Sequence, residues 1–221
     1  MILINGLCYN IVIIYNNSNN TRLLGTESSE DTIPFFCLEE IMSDIMDSIR
    51  RRRSVRKYKK QDLPEDLLND LLEAVRWSPS WANTQCWEVI VVKDPETKKS
   101  LQETLPKGNP AFSAIEDAPI ILALCGKLMS SGYYKGAAAT KFGDWFMFDL
   151  GIATQSLCIA AHSMGLGTVI VGLFDHDKAM RTLSVPEGFE LSVLIPVGYP
   201  EKTPSAPKRK GIKEFVHHNL F

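Results

Sequence analysis

The stretch Arg52-Arg53-Ser54-Val55-Arg56 decides how this chain is interpreted, together with Ser78-Pro79-Ser80-Trp81-Ala82-Asn83-Thr84-Gln85-Cys86-Trp87 further along. The first stretch clusters guanidinium groups around a hydroxyl, and such groups hold phosphate through charge-assisted, partly bidentate hydrogen bonds. The second is a turn-forming Pro-Ser followed by amides and indoles, which can frame the polar edge of a flat heteroaromatic ring. A ligand with phosphate at one end and a planar ring at the other is indicated, as in flavin mononucleotide (FMN).

The composition is that of a soluble globular protein with one domain of ordinary size. Of the 221 residues, 45% are hydrophobic and 23% are charged, and the formal net charge is -2. A chain with this net charge has no global field that draws it to nucleic acid or to anionic lipid. We therefore expect neither partner, and the basic residues at 50–56 are a local feature, as a binding site would be.

The cysteines and histidines argue against a disulfide framework and against a metal site. The five cysteines include no CxxC pair, and none of the four histidines has a metal-binding partner at helical spacing. This pattern is typical of a protein in a reducing compartment, so we expect a cytoplasmic location and no bound metal.

The first forty residues differ in composition from the rest of the chain. Residues 1–15 are apolar but have no basic segment and no small-residue cleavage site, so they do not resemble a signal peptide. Residues 16–21 and 26–31 have the polar composition of a linker. We expect residues 1–40 to form an N-terminal extension outside a domain of residues 41–221, with Met42 or Met46 as the physiological start.

Hydrophobic periodicity predicts a mixture of helices and strands in that domain. Helices are expected at residues 41–49, 64–75, 97–105, 144–164 and 175–183. Strands are expected at residues 87–92, 119–125, 168–171 and 191–197. Because the order lacks strict βαβ alternation, we expect an α+β fold with helices layered on a sheet, and not a doubly wound fold.

Each motif also has an ordinary structural interpretation. Arginines can complement the dipole at the end of a helix, and a Ser-Pro-Ser turn can simply terminate one. The stretch Gly165-Leu166-Gly167 follows a helix, which is the context of a C-cap and not of a dinucleotide fingerprint. Gly172 follows a β-branched run, where the absence of a side chain would let a ligand approach the backbone closely.

Taken in order, the motifs resemble those of the nitroreductase family of FMN-dependent oxidoreductases, and the resemblance covers residues 41–221. Arg-Arg-Ser-x-Arg at 52–56 is followed by Ser-Pro-Ser-x-x-Asn-x-Gln-x-Trp at 78–87, by Asp149-x-Gly151, by Gly-Leu-Gly-Thr at 165–168 and by a basic residue near the C-terminus. The resemblance implies a nitroreductase-like α+β fold: a central mixed β-sheet flanked by helices, in an intertwined homodimer with two sites at its interface.

The resemblance also implies which residues contact FMN. The expected contacts to the phosphate and ribityl chain come from both ends of the domain: Arg52, Arg53, Ser54, Arg56, Lys208 and Arg209. The expected contacts to the isoalloxazine come from two loops: Pro79, Ser80 and Asn83 on the other subunit's flavin, and backbone N–H groups of Gly172 and Leu173 near N5 and O4.

The implied function is an FMN-dependent NAD(P)H oxidoreductase that reduces electron-poor acceptors, such as nitroaromatics or quinones, by a ping-pong hydride mechanism. Because FMN itself carries the chemistry, no side chain is expected to be catalytic. Two alternatives stay open: a flavin-binding protein without turnover, and a related reductive dehalogenase or flavin-cleaving enzyme. Enzymes of the latter kinds would need a lid over the flavin, for which residues 107–141 are the candidate.

The sequence departs from the family pattern at two positions. Cys86 stands where a proline is usual, which would shift the turn slightly and place a thiol near the cofactor. Gly172 stands where some members carry a glutamate. Both departures bear on substrate preference.

Overall fold

The computed structural model describes residues 45–221 throughout and, nearer the N-terminus, only the strands β1 (Ile2–Ile4) and β2 (Leu7–Tyr9). Two compact units divide the chain, Met1–Met42 and Ser43–Phe221. In the first unit, β1 and β2 pair antiparallel. The predicted N-terminal extension and the start of the first predicted helix lie largely outside the described residues.

A four-stranded sheet is the centre of the second unit. Its strands are β3 (Trp87–Val92), β4 (Ile120–Lys127), β7 (Gly167–Thr168) and β8 (Phe189–Gly198). They lie in the order β3-β4-β8-β7, and each neighbouring pair is antiparallel. A parallel bridge from Ser54 to Thr168 extends the β7 edge, so the pairing is mixed.

Six helices surround this sheet in residues 45–221. They are α1 (45–51), α2 (Glu65–Arg76), α3 (Pro95–Gln102), α4 (Phe112–Asp117), α5 (Phe146–Ser163) and α6 (His176–Thr182). Among the described residues, none of the helices has both the length and the apolarity that a membrane crossing requires. The α+β fold with helices flanking a sheet is therefore confirmed.

β4 is buried on both of its faces, because alternate side chains of a strand point to opposite sides of the sheet. Ile120, Leu122 and Leu124 pack in one core cluster with residues of α2 and α5. Ile121, Ala123 and Cys125 pack in the other cluster with residues of α3, α4 and α6. The continuous apolar run from Pro119 to Cys125 thus reflects burial between two layers of helices.

The predicted strand at 168–171 is shorter in the structure, because the partner strand contains a proline. Thr168 pairs with Val197, and Val171 exchanges two backbone hydrogen bonds of 2.9 Å with Leu194. This register places Pro196 opposite Val169, at the next position where a partner N–H would be needed. Proline has no N–H, so the ladder is interrupted there and β7 ends at Thr168.

The segment between β4 and α5 differs most from expectation. The predicted lid at residues 107–141 is wrong in its first part, because α4 and the central strand β4 occupy residues 112–127. The remaining excursion, residues 128–145, contains a short hairpin of β5 (Tyr133–Tyr134) and β6 (Ala137–Ala138). We call residues 128–145 the lid segment. Neither the hairpin nor α4 was expected from periodicity, since both are very short.

Candidate cofactor-binding site

A small pocket lies where the arginine segment passes the turn after α5. Its volume is about 140 Å³, and its lining residues are Arg52, Arg53, Val55, His162, Gly165, Leu166, Thr168, Pro200 and Thr203. Guanidinium, imidazole and hydroxyl groups line it, and none of these lining residues is acidic. The pocket therefore suits an anionic group of a ligand.

Backbone contacts bring the two motifs of this pocket together. Val55 donates its N–H to the carbonyl oxygen of Thr168 over 2.8 Å. A Cβ atom at Gly167 would lie 2.7 Å from the Cβ atom of Val55, so a side chain there would displace the arginine segment. Gly167 is thus required by the close approach of these two chain segments.

The turn after α5 is a glycine C-cap, as the sequence also indicated. Gly165 has a φ of +75°, in the left-handed region that glycine adopts without strain. Its N–H donates to the carbonyl oxygen of His162, and the N–H of Leu166 donates to that of Ala161. The C-cap and the pocket are both present here, so the two interpretations of this motif are compatible.

The arginines of the first motif do not share one environment. Arg53 donates from Nη1 to the carbonyl oxygens of Arg50 and Arg52, at 2.6 and 2.9 Å, and so caps the end of α1. Arg52 lines the pocket, and among residues 45–221 its guanidinium has no hydrogen-bond acceptor and no ion-pair partner. Arg56 is exposed, donates to the carbonyl oxygen of Ser54 at 3.3 Å and does not line the pocket.

His162 and Thr203 line the pocket but were not expected from the sequence. Burial, followed by the positive charges of Arg52, Arg53 and Arg51, lowers the pKa of His162 below its ordinary value of 6.5. An anion in the pocket would offset those positive charges. A signal for His162 was present, because it lies in the last turn of α5 just before the glycine motif. No sequence signal indicated Thr203, since only the fold brings it to the pocket.

The loop that carries Pro79, Ser80 and Asn83 lies apart from this pocket in the same chain. Pro79 and Asn83 are exposed, and none of the three residues lines the arginine pocket. The Ser80 hydroxyl accepts the N–H of Gln85 at 2.9 Å, which gives it a structural role as well. That this loop meets the flavin of a second subunit stays a prediction.

Gly172 and Leu173 form an exposed turn after the bridge at Val171. The carbonyl oxygen of Gly172 lies 3.2 Å from Nε2 of His176, and that of Leu173 accepts from Nδ2 of Asn109 at 3.1 Å. Their N–H groups donate to no acceptor among residues 45–221. A Cβ atom at Gly172 would meet nothing within 4 Å, so packing within the chain does not explain the glycine.

The C-terminal segment is exposed over residues 201–221. Thr203 lines the arginine pocket, whereas Lys208 and Arg209 do not. The predicted phosphate contacts of Lys208 and Arg209 therefore stay predictions.

Cys86, which stands at the position of the usual proline, is buried and directly precedes β3. Its Sγ lies 3.5 Å from Oδ2 of Asp149. Burial, followed by the charge of Asp149 and this hydrogen bond, raises the pKa of the Cys86 thiol to about 12. The thiol is therefore protonated at neutral pH, and it points into the protein.

Comparisons with known proteins agree with the fold. The Nitroreductase family model matches residues 49–199. The FMN reductase (NAD(P)H) of Bacillus subtilis strain 168 is 31% identical over 193 residues, which are 80% of this chain and 74% of that protein. An iodotyrosine deiodinase of Thermotoga neapolitana is 24% identical over 203 residues, which are 81% of this chain and 100% of that protein.

A solved structure shares the fold. An FMN-dependent nitroreductase from Clostridium difficile R20291 superimposes with a TM-score of 0.67 at 24% identity, over 80% of this chain and 99% of that chain. The chain therefore has the α+β fold of the nitroreductase type. With the family model spanning most of the domain, the chain belongs to the nitroreductase family.

Proposed function

We propose that this member of the nitroreductase family, an FMN-dependent oxidoreductase that uses NAD(P)H, reduces electron-poor acceptors such as nitroaromatics or quinones by a ping-pong mechanism. The observation that carries the proposal is the cationic pocket of Arg52, Arg53 and His162 beside the Gly165 turn. Most of these pocket residues belong to the motifs that resemble those of the family, and the fold brings these motifs together.

The residues of the pocket fit the phosphate end of FMN. The pocket measures about 140 Å³, whereas complete small-molecule sites commonly measure roughly 300–1,000 Å³. It therefore has room for one end of a ligand only, and its cationic lining favours an anionic end. The planar end would lie outside it, against other parts of the assembly.

The chemistry that FMN supplies when bound is electron transfer from NAD(P)H to a second substrate. The residues of this chain would bind and orient the cofactor for it. No acceptor within residues 45–221 uses the donors of Arg52 or the N–H groups of Gly172 and Leu173, and the Arg52 donors are proposed to bind the phosphate. Donors fixed in this way stabilise negative charge that develops on a ligand, because they need no reorganisation during the reaction.

A homodimer would complete the site. The outer face of α5 exposes Met147 by 57% and Phe148 by 60%, beside a groove of about 540 Å³ that continues to Ile159. The C-terminal segment exposes further large apolar side chains, including Ile212, Phe215 and Leu220. Apolar surface of this extent supports association with a second copy, in which the loop at 79–83 of one subunit would meet the flavin of the other.

A reductive dehalogenase is the second candidate, because an iodotyrosine deiodinase is among the relatives. The lid segment supports an aromatic substrate in either case, since it exposes Tyr134 by 70% and Phe142 by 69%. The third possibility is a flavin-binding protein without turnover. These candidates differ in the acceptor that they reduce, or in reducing none.

Anaerobic reduction followed by an acceptor panel tests the proposal. We expect NADH or NADPH to bleach the visible flavin absorbance, and a nitroaromatic or a quinone to restore it. Restoration by an iodophenol alone, with release of iodide, would support the dehalogenase instead. Flavin that neither NADH nor NADPH bleaches would contradict both enzymatic proposals.

A further inference from the structure

Asp149 is a buried carboxyl group that joins three separate segments of the chain. Its side chain belongs to α5 and is only 1% exposed. Oδ1 accepts the backbone N–H of Trp81 at 3.0 Å, and Oδ2 accepts the Ser131 hydroxyl at 2.6 Å and faces Cys86 Sγ at 3.5 Å. No ion pair within residues 45–221 involves Asp149, so these donors are what stabilise it. A buried charge held in this way is sensitive to the loss of any one donor.

On one side, Asp149 holds the loop that is predicted to meet the flavin. Three non-glycine residues of this loop have left-handed backbone conformations: Ala82 (φ 44°), Asn83 (φ 55°) and Gln85 (φ 47°). Such conformations carry strain and persist only where surrounding contacts enforce them. The hydrogen bond from Trp81 to Asp149 fixes the start of the loop, and the bond from Gln85 to Ser80 closes it.

On the other side, Asp149 holds the lid segment through Ser131. Ser131 is completely buried, and its carbonyl oxygen accepts the N–H of Trp145 at 3.0 Å. Met129 donates its N–H to Asp144 at 2.5 Å, which closes the base of the segment a second time. The hairpin beyond Ser131 projects into solvent. The lid segment is therefore anchored at its base, with Ser131 as the link to the core.

The loop and the lid segment also contact each other directly. The rings of Trp81 and Trp145 are 5.2 Å apart at an interplanar angle of 44°, and Phe148 packs edge-on against Trp145. Trp81 is thus fixed by two contacts, the hydrogen bond of its backbone N–H to Asp149 and the packing of its ring against Trp145. A movement at the base of the lid segment would be transmitted to the start of the loop at 79–83.

We propose that Asp149 is a positioning residue that couples the lid segment to the loop at 79–83, and so controls how the planar acceptor is bound. The proposal rests on the proposed function, because the loop matters to the acceptor only if a flavin lies against it. Trp81 and Ser131 bond the two oxygens of one carboxylate, so release of Ser131 lets the carboxyl group rotate and thereby loosens the fixation of Trp81. Asp149-x-Gly151 was noted in the sequence without a role, and this coupling gives the aspartate one.

The anchoring is tested first without any ligand, by limited trypsin digestion. Lys135 and Lys141 are exposed trypsin sites within the lid segment. Ser131→Ala removes a buried charge-assisted hydrogen bond, which should increase lid opening, and hence cleavage at these sites, by about tenfold or more. Ser192→Ala is the matched control, because Ser192 is also a buried serine but its hydroxyl bonds Met147. Equal cleavage rates in Ser131→Ala and the control would overturn the anchoring.

The coupling to the acceptor is tested in the FMN-loaded enzyme. Ser131→Ala and Asp149→Asn should each raise KM for a nitroaromatic several-fold, and they should lower FMN affinity less than Arg52→Ala does, since the arginine pocket is separate from the loop. Partial unfolding alone would lower the active fraction and leave KM unchanged. Unchanged KM in Ser131→Ala would therefore overturn the proposal, even if Asp149→Asn fails to fold.

Failure of the proposed function gives a different result from failure of this inference. If the wild type is not reduced by NAD(P)H, the proposed function fails, while the trypsin comparison still reports on the anchoring. If the wild type turns over normally and both variants keep the wild-type KM, only the positioning role of Asp149 fails.

Discussion

The backbone N–H of Val55 lies 2.8 Å from the carbonyl oxygen of Thr168, and this hydrogen bond joins the arginine segment to the strand after the Gly165 turn. More than one hundred residues of sequence separate the two partners. Because Arg52 and Arg53 precede Val55 and the glycine turn precedes Thr168, the contact brings both motifs to one pocket. The predictions below follow from this arrangement.

Gly167→Ala should destabilise the protein. The new Cβ atom would lie 2.7 Å from Val55, so the arginine segment must shift, and we expect the free energy of unfolding to fall by about 1–3 kcal/mol. Gly172→Ala is the control, because a Cβ atom there meets nothing within 4 Å. Urea denaturation measures both. Equal stability of the two variants would show that Val55 and Gly167 are not in close contact.

Arg52→Ala should weaken FMN binding far more than Arg56→Ala. Arg52 lines the pocket and has no acceptor within residues 45–221, whereas Arg56 is exposed and outside the pocket. Loss of a charge-assisted phosphate contact at Arg52 should reduce affinity by roughly 10- to 100-fold, and Arg56→Ala, whose predicted contact lies outside the pocket, should reduce it less. Fluorescence titration of apoprotein with FMN gives both constants. A larger effect at Arg56 would place the phosphate elsewhere.

The pKa of His162 should rise when the pocket is filled. In the free protein, burial and then the neighbouring arginines hold this pKa below 6.5. Between the lowered pKa of the folded protein and the ordinary value of 6.5, the unfolded chain binds more protons than the folded chain does. The free energy of unfolding is therefore highest above this pH window, and it falls as the pH decreases through the window. NMR titration of the His162 ring, assigned with His162→Gln, should show a higher pKa with FMN bound. An unchanged pKa would show that the phosphate of FMN does not bind close to His162.

Cys86 should be unreactive in the native protein. Its pKa of about 12, caused mainly by burial and then by Asp149, leaves about a thousandfold less thiolate than an ordinary cysteine has. Iodoacetamide at pH 8, followed by peptide mass mapping, should label Cys86 only after denaturation. Rapid native labelling of Cys86 would show that the thiol is open to solvent.

The parts of the fold that local pattern determines could be predicted from the sequence. The β-branched run at 87–92 coincides with β3, and the leucine stripe after Pro64 lies on the buried face of α2, which begins at Glu65. The early end of β7 could not be predicted, because it depends on Pro196 in a partner strand. The lid segment was given too early a start, although the apolar run at 119–125 already predicted the strand that occupies part of it.

The residues of the candidate site could also be predicted from the sequence only in part. The cluster of arginines and the glycine turn were visible as motifs, and the structure brings Arg52, Arg53 and Gly165 into one pocket. Arg52 and Arg56 could not be distinguished from the sequence alone, since which of them lines the pocket depends on which side of the segment faces Thr168. Thr203 lines the pocket but lies in a distant segment, and no sequence motif predicts it.

A titration that compares FMN with riboflavin tests the central claim most directly, because the two ligands differ only in the phosphate that the Arg52 pocket is proposed to bind. With wild-type apoprotein we expect one FMN per chain and an affinity for riboflavin at least about a hundredfold weaker, as expected for loss of several charge-assisted hydrogen bonds. In Arg52→Ala that preference should shrink markedly. Equal affinity of the wild type for the two ligands would contradict the account.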